Sequence, residues 1–215
     1  ASYERVINSI YVGHNGSYDR LSTQANLRHD NIRGRESKNT YLLGLGYALN
    51  QAWKLTATRS TAFNAPTGGQ LVDASQGGNS RLVSETSNSY EAGIQYSTNE
   101  NMYRVVYFDT KYTNLIVPGS SAISPCPFSN CGNALVNAQN ASNNGIEVSA
   151  KSRLNFGIVK VSYTHQKPMN DTLGTLLQNR SKEHGAIEYS SLPGVFEWGL
   201  KMVASGFRYT PDAYS

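Results

Sequence analysis

Residues 41–58 read Tyr41-Leu42-Leu43-Gly44-Leu45-Gly46-Tyr47-Ala48-Leu49-Asn50-Gln51-Ala52-Trp53-Lys54-Leu55-Thr56-Ala57-Thr58. Tyr41, Leu43, Leu45 and Tyr47 alternate with Leu42, Gly44, Gly46 and Ala48, and beyond Asn50-Gln51 the residues Trp53, Leu55 and Ala57 alternate with Lys54, Thr56 and Thr58. A period of two is the signature of a β-strand, whose successive side chains point to opposite faces. The stretch therefore predicts two neighbouring antiparallel strands joined by a tight turn, with bulky apolar side chains on one face and small or polar ones on the other. Leu21, Thr23, Ala25 and Leu27 oppose Ser22, Gln24, Asn26 and Arg28 in the same way. So do Tyr90, Ala92, Ile94 and Tyr96 against Glu91, Gly93 and Gln95; Ile146, Val148 and Ala150 against Glu147, Ser149 and Lys151; and Phe196, Trp198, Leu200 and Met202 against Glu197, Gly199 and Lys201. The fold class is all-β, with about ten strands.

The links carry a second regularity. Short ones are expected at 13–17, 50–51, 97–101, 152–155 and 190–194, and long ones, rich in Gly, Ser, Asn and Pro, at 29–39, 60–87, 113–134 and 166–182. Strict alternation of short and long links puts every long loop at one rim of an antiparallel up-and-down sheet, the layout of a transmembrane β-barrel. Strands of roughly 9–11 residues are long enough to cross.

Composition agrees. Only 16% of the 215 residues are charged, against roughly 25% in ordinary soluble domains. Mean hydropathy is −0.46, and no run approaches the roughly 18 apolar residues of a spanning helix. In hydrocarbon every backbone N–H and C=O needs an internal partner, so strands cross only within a closed barrel. Fourteen Tyr against six Phe favours rings with one apolar and one wet end. Tyr41, Tyr47, Trp53, Tyr90, Tyr96 and Trp198 sit near strand ends, as interfacial girdles do. A polar face of Gly, Ser, Lys and Glu points to a wide lumen, hence to an arc of a larger barrel whose remaining wall lies elsewhere. A soluble, secreted β-sandwich binding carbohydrate or protein shares the alternation; it differs in having a second layer over its apolar face.

Other classes receive little support. The net charge of +4 comes from dispersed Lys and Arg, so nucleic acid is not an expected partner. The first residues, Ala1-Ser2-Tyr3-Glu4-Arg5, lack a basic and then apolar leader, so the chain is expected to be mature or cut from a longer precursor. Cys126 and Cys131, within Cys126-Pro127-Phe128-Ser129-Asn130-Cys131, have no second pair to complete a zinc site and read as a short local disulfide of an oxidising compartment. His29 and His165 fall on the apolar parity and His184 on the polar one, so no metal site is expected. No nucleophile triad, phosphate loop or HExxH is present, and the paired carboxylates Glu91 and Glu147 have no supporting residues; no enzyme activity and no cofactor are expected. Arg28, Lys54, Glu91, Glu147, Glu188, Glu197 and Lys201 are expected to line the lumen, because on a lipid face a Lys or Arg costs about 2–4 kcal/mol near the midplane.

Several motifs follow one another in order: Ala57-Thr58-Arg59-Ser60-Thr61-Ala62-Phe63-Asn64-Ala65-Pro66-Thr67 with Leu71; Gly78-Asn79, Leu82 and Glu85-Thr86-Ser87; Ser89-Tyr90-Glu91-Ala92-Gly93; Tyr107-Phe108-Asp109 with Asn114-Leu115-Ile116; Asn137 with Gly145-Ile146-Glu147; and Leu176-Leu177 with Arg180. With these the chain resembles the TonB-dependent outer-membrane receptors of bacteria, plugged 22-stranded barrels that import scarce nutrients. The resemblance implies that residues 1–215 are barrel, without the plug, the early strands, the last strands or the energy-coupling box. Leu176-Leu177…Arg180 and Gly206-Phe207-Arg208-Tyr209 are most similar to the cobalamin-receptor branch, with siderophore and haem receptors as alternatives. The implied partners are cobalamin or an iron chelate, the TonB complex acting through the plug, and the lipid bilayer.

Ligand capture is expected of the long loops, which a rigid sheet holds in place. Gln70, Asp73, Gln76, Asn79 and Arg81 supply polar groups there and Phe128 an apolar one. By resemblance to the cobalamin branch, Asn179 and Arg180 fall at a ligand-contacting position, and Tyr214 is grouped with them as a candidate contact.

Overall fold

The computed structural model describes residues 4–118, 134–194 and 196–208. Its strands are β1 (Ile7–Tyr18), β2 (Leu21–Ile32), β3 (Ser37–Ala48), β4 (Trp53–Asn64), β5 (Glu85–Ser97), β6 (Asn101–Pro118), β7 (Leu135–Leu154), β8 (Gly157–Asn170), the two-residue β9 (Thr175–Leu176), β10 (Glu183–Ser191) and β11 (Gly199–Ser205). They form one antiparallel sheet in the order β1-β2-β3-β4-β5-β6-β7-β8-β10-β11, with β9 folded back on β8. The helical elements among the described residues are α1 (Gly68–Val72) and a 3-10 turn at Ala74–Gln76, both within the β4–β5 connection.

The register turns the alternation into continuous rows. Leu21, Tyr47, Leu55, Ile94, Val105, Val148 and Tyr163 are successive cross-strand partners on one face. One residue along the strands, Gly46, Thr56, Gly93, Val106, Glu147, Thr164 and His184 form a row on the other. The apolar face is bare: Leu27, Leu45 and Ile187 are 56%, 57% and 54% exposed. In water a continuous surface of this kind would far exceed the few hundred Å² of apolar patch that soluble monomers tolerate. Neither a second sheet nor a helical layer lies against it among the described residues, which removes the soluble sandwich. At the short-turn rim the rings stack in a belt, Trp53 on Tyr96 (4.9 Å between centroids), Tyr96 on Tyr103 (6.0 Å), Phe156 on Tyr189 (6.2 Å) and Tyr189 on Trp198 (4.8 Å), as at a membrane–water boundary.

Several expectations need correction. No link occurs at 13–17: β1 runs on to Tyr18 and turns at Asp19-Arg20, with Asp19 at φ +49. Gly13-His14-Asn15-Gly16 reads locally as a turn, yet Gly13 and Gly16 are ladder positions opposite Asn26 and Thr23. The 29–39 link shrinks to 33–36, because the β2–β3 ladder continues to Asn31↔Ser37, where both faces are polar and the alternation fades. The strands reach 18 residues in β6 and 20 in β7, well past what a bilayer requires. Glu197 precedes β11, so no ladder carries its expected facing.

The β4–β5 connection at the long-loop rim has a core of its own. Leu71, Leu82 and Ile32 are 3%, 1% and 2% exposed, with Pro66 and Ser84 buried beside them. Thr67 and Gln70 form a capping box on α1, and Asp73 caps the following turn by accepting from Ser75 N. Outside the strands, Arg35 donates to the Leu82 carbonyl, and Glu36 Oε1 accepts from Ser84 N (2.9 Å) and from the Ser84 hydroxyl, while Lys38 Nζ lies 2.8 Å from Glu36 Oε2. Burial by itself would raise the Glu36 pKa; the hydrogen bonds from Lys38 and Ser84 outweigh it and hold the carboxyl below its ordinary 4.5.

Two outcomes are expected in the full-length protein. Val148→Arg, on the apolar face, destabilises folding in bilayers by about 2–4 kcal/mol, whereas Ser149→Arg, one residue away on the polar face, changes it by under about 1 kcal/mol; chemical unfolding in vesicles followed by heat-modifiable gel mobility measures both. Because the folded Glu36 pKa is depressed, its contribution is complete above the ordinary carboxylate pKa and is lost as pH falls through the folded value. Protease protection of 65–84 is therefore complete at neutral pH and declines only once pH has fallen below the ordinary carboxylate value of 4.5, and Glu36→Ala abolishes it at neutral pH; protection that Glu36→Ala leaves unchanged at neutral pH would contradict this.

Candidate ligand-binding site

Arg180 is brought into place by a loop that doubles back. After β8, Asn170 Oδ1 accepts from Thr172 N and Leu173 N, both at 3.1 Å. Gly174 turns the chain at φ +69, and β9 then pairs with β8 through Met169↔Leu176 and Asn170↔Thr175. The return leg is fastened by Leu177 N to Pro168 O (2.9 Å) and by Gln166 Nε2 to Ser181 O (2.9 Å). Gln166 is in turn held by Asn143 Nδ2 (2.9 Å). Asn179 adopts the left-handed conformation, φ +58, which Asn tolerates better than most side chains, and this bend precedes Arg180.

Between this loop and the polar face of β6, β7 and β8 lies a cavity of about 900 Å³. Tyr112, Leu115, Leu173 and Leu177 give it an apolar lining, and Gln139, Asn143, Gln166, Asn170 and Gln178 add amides. Arg180 is its one charged lining residue among the described residues. The Asn143 Oδ1 atom is buried there with no hydrogen-bond partner among the described residues. Such a chamber suits a large ligand with apolar or aromatic parts, hydrogen-bonding groups and local negative charge. Sequence reasoning found Arg180 but missed Asn143 and Gln166; their polar-face parity on β7 and β8 was the available signal.

Several motif residues prove to be fasteners of the rim. Asn79, 8% exposed, donates to Leu135 O (2.8 Å) and accepts from Arg81 N (2.9 Å). Asn137 Oδ1 accepts from Val83 N (2.8 Å), and its Nδ2 donates to Val83 O (2.9 Å) and Asn114 O (2.7 Å). Glu85 accepts from Asn64 Nδ2 (3.0 Å) and Ile116 N (2.9 Å). Gly78 and Gly145 are required by close approach: a Cβ on Gly78 would lie 2.7 Å from Asp73 N, and one on Gly145 would lie 2.2 Å from His165 O.

The remaining candidates fall as follows. Gln70 and Asp73 hold the local caps described above, away from the Arg180 cavity, and Arg81 lies beside Asn79 in the same loop. Cys126, Phe128, Cys131 and Tyr214 lie outside the described residues. The register places Arg28, Lys54, Glu91, Glu147, Glu188 and Lys201 on the polar face. Arg28 grips Asp30 (Nε to Oδ2 2.8 Å), and Lys160 pairs with Glu188 (2.7 Å), opposite Lys201. His165 Nδ1 meets Glu183 Oε1 at 3.2 Å on the apolar parity. No group of three or more His, Cys, Asp or Glu suited to a metal ion occurs among the described residues.

Comparison with known proteins agrees with this architecture. The family described as TonB dependent receptor-like, beta-barrel matches residues 1–215. Similar solved structures include a mutant of the ferric enterobactin receptor PfeA of Pseudomonas aeruginosa, at 21% identity and TM-score 0.81 over 97% of this chain and 35% of that one. The siderophore receptor PirA of Acinetobacter baumannii matches at 20% and 0.75 over 89% and 32%, and the FrpB iron transporter of Neisseria meningitidis at 18% and 0.68 over 92% and 32%. This chain thus spans about a third of each. With its apolar face turned to lipid and its long loops at one rim, it is a segment of bacterial outer-membrane barrel wall and belongs to the TonB-dependent receptor-like β-barrel family.

Proposed function

We propose that the whole protein is an outer-membrane receptor that captures a ferric siderophore at the long-loop rim and imports it. In this reading residues 1–215 form part of the barrel domain. A plug elsewhere in the protein fills the lumen and couples to the TonB complex, and transport needs no covalent step. The observation that carries the proposal is the chamber under the β8–β10 loop, apolar and amide-lined with Arg180 as its charged lining residue. Its 900 Å³ lies within the roughly 300–1,000 Å³ usual for small-molecule sites. A ferric siderophore has the matching make-up: a bulky chelate with amide or aromatic arms and oxygen donors that often leave net negative charge. The names of the similar receptors, which concern iron and siderophores, support the same class.

A corrinoid remains the second reading, favoured by the place of Leu176-Leu177 and Arg180 in the chain. We assign Arg180 the charge-assisted ligand contact and Asn179 the bend that presents it. Gln70, Asp73 and Arg81 act from the adjoining loop, and Phe128 and Tyr214 are kept as further contacts. Arg28, Lys54, Glu91, Glu147, Glu188, Glu197 and Lys201 serve as a wet wall toward the plug.

Titrating the purified full-length receptor with ferric siderophores of catecholate and hydroxamate type, haem and cyanocobalamin side by side tests the class. Tightest binding of a ferric siderophore is expected; tightest binding of cyanocobalamin would replace it with the corrinoid reading. Arg180→Ala weakens binding by about tenfold or more, as loss of a charge-assisted hydrogen bond does, and leaves heat-modifiable barrel folding intact. Unchanged affinity would take Arg180 out of the site.

A further inference from the structure

The walls of the Arg180 chamber are poor in charge. Residues 112–146, from Tyr112 in β6 to Ile146 in β7, contain no Asp, Glu, Lys, Arg or His, in a chain of which 16% is charged. Across the chamber, Gln166, Pro168 and Asn170 share the inward parity of β8, whereas Lys167 takes the outward one. Asp171 is engaged elsewhere, accepting at 2.7 Å from the hydroxyl of Ser142, which lies on an outward row. Arg180 is thus the charged lining residue among the described ones. The next ionisable side chain down the same face of β7 is an anion, Glu147.

Hydrogen-bonding capacity, by contrast, is plentiful and of both signs. Gln139, Asn143, Gln166, Asn170 and Gln178 line the space with amides, each of which can donate and accept. Part of that capacity is used within the wall: Gln166 Oε1 accepts from Asn143 Nδ2, and Gln166 Nε2 donates to Ser181 O. The Asn143 amide is thereby oriented with its nitrogen toward Gln166, and its Oδ1 is left buried without a donor among the described residues. An acceptor in that position bears the cost of its lost water until a ligand or a neighbour supplies a proton.

Resting on the siderophore reading above, we infer that the chamber takes a ferric trihydroxamate whose arms are joined by secondary amides, in preference to a ferric triscatecholate. Charge decides between the two. Three hydroxamates, each losing one proton, cancel the charge of Fe(III), whereas three catecholates, each losing two, leave a trianion. A single guanidinium among neutral amides and apolar side chains cannot pair a trianion, and unpaired charge taken out of water is costly. Glu147, farther down the same face, adds repulsion. A neutral chelate asks of Arg180 only hydrogen bonds to its hydroxamate oxygens. Its linking amides meet the Gln and Asn side chains as donors and acceptors alike, and one of their N–H groups is the donor that Asn143 Oδ1 lacks. Leu115, Leu173 and Leu177 cover the methylene arms.

The test titrates the full-length receptor in detergent, by calorimetry, with three iron chelates: a neutral trihydroxamate with secondary-amide linkers, the same compound with those amides N-methylated, and a triscatecholate. The first is expected to bind at least about tenfold more tightly than the triscatecholate, and its affinity should change by less than about twofold between low and high salt, because a neutral ligand leaves little to screen. N-methylation should weaken binding several-fold. Gln139→Lys, which adds a second cation to the lining, should improve the triscatecholate several-fold relative to the trihydroxamate. Asn143→Leu should erase the preference for the amide over its N-methylated form, whereas a loosened wall would weaken both alike. The N-methylated compound probes the same contact on the unaltered receptor, so the matter is decided even where Asn143→Leu does not fold. A triscatecholate that binds as tightly as the trihydroxamate overturns the inference and leaves the siderophore reading standing; so does equal binding of the amide and N-methylated compounds. Binding of cyanocobalamin but of no iron chelate overturns the siderophore reading, and the inference with it.

Discussion

The constraint on which the structure depends is that hydrocarbon offers no partner to a backbone N–H or C=O. It explains where irregularity is allowed. From the aromatic belt near Trp53 and Tyr96 up to the row containing Leu42 and Ser60, the ladders between neighbouring long strands are continuous. The end of the β3–β4 ladder at Leu42↔Ser60, the shift in β6 between Tyr112 and Leu115 and the positive-φ residues Asn114 and Asn179 all lie toward the long-loop rim. Asp19, the other positive-φ residue that is not glycine, sits in a turn at the opposite rim. Irregular backbone is concentrated where the solvent permits broken pairing.

Above the bilayer a different economy holds, and side-chain amides take over from backbone ladders. Asn79, Asn137 and Asn170 each bind two or more backbone groups of another segment or turn. Asparagine suits this work because one planar group both donates and accepts. The β4–β5 connection is thereby a small folded unit with its own apolar centre, tied to the β2–β3 turn through Glu36 and to β7 through Asn79.

These facts also explain what the sequence made legible. Within the bilayer one face must be apolar and the other need not be, so the alternation at 41–58 and its repeats identified strands and faces. Beyond the bilayer both faces are wet, and the signal fades; hence the 29–39 segment read as a loop although its ladder continues. Gly13 and Gly16 misled for a related reason, since a glycine at a crowded ladder position and a glycine in a turn look alike in one dimension. Asn79, Glu85 and Asn137 were legible as motif residues, but their role as fasteners depends on partners between 21 and 56 positions away. The pairing of Asn143 with Gln166, and of Gln166 with Ser181, likewise becomes visible only once β8 and its loop are folded.

The Arg180 chamber and the outward face of the wall divide the strands between them by parity. On β7, Asn143 faces the Arg180 chamber while its neighbours Ser142 and Asn144 fall on the outward rows; on β8, Gln166 faces inward and Lys167 outward. Adjacent residues of one strand therefore meet different solvents and are free to vary for different purposes, since the wall itself asks only that apolar and polar positions alternate. That tolerance is the physical reason why a chain sharing about a fifth of its residues with another can superpose at a TM-score of 0.81. It is also why, on the proposed reading, ligand choice rests with the few side chains of the chamber, above all Arg180, Asn143 and Gln166, and not with the barrel that carries them.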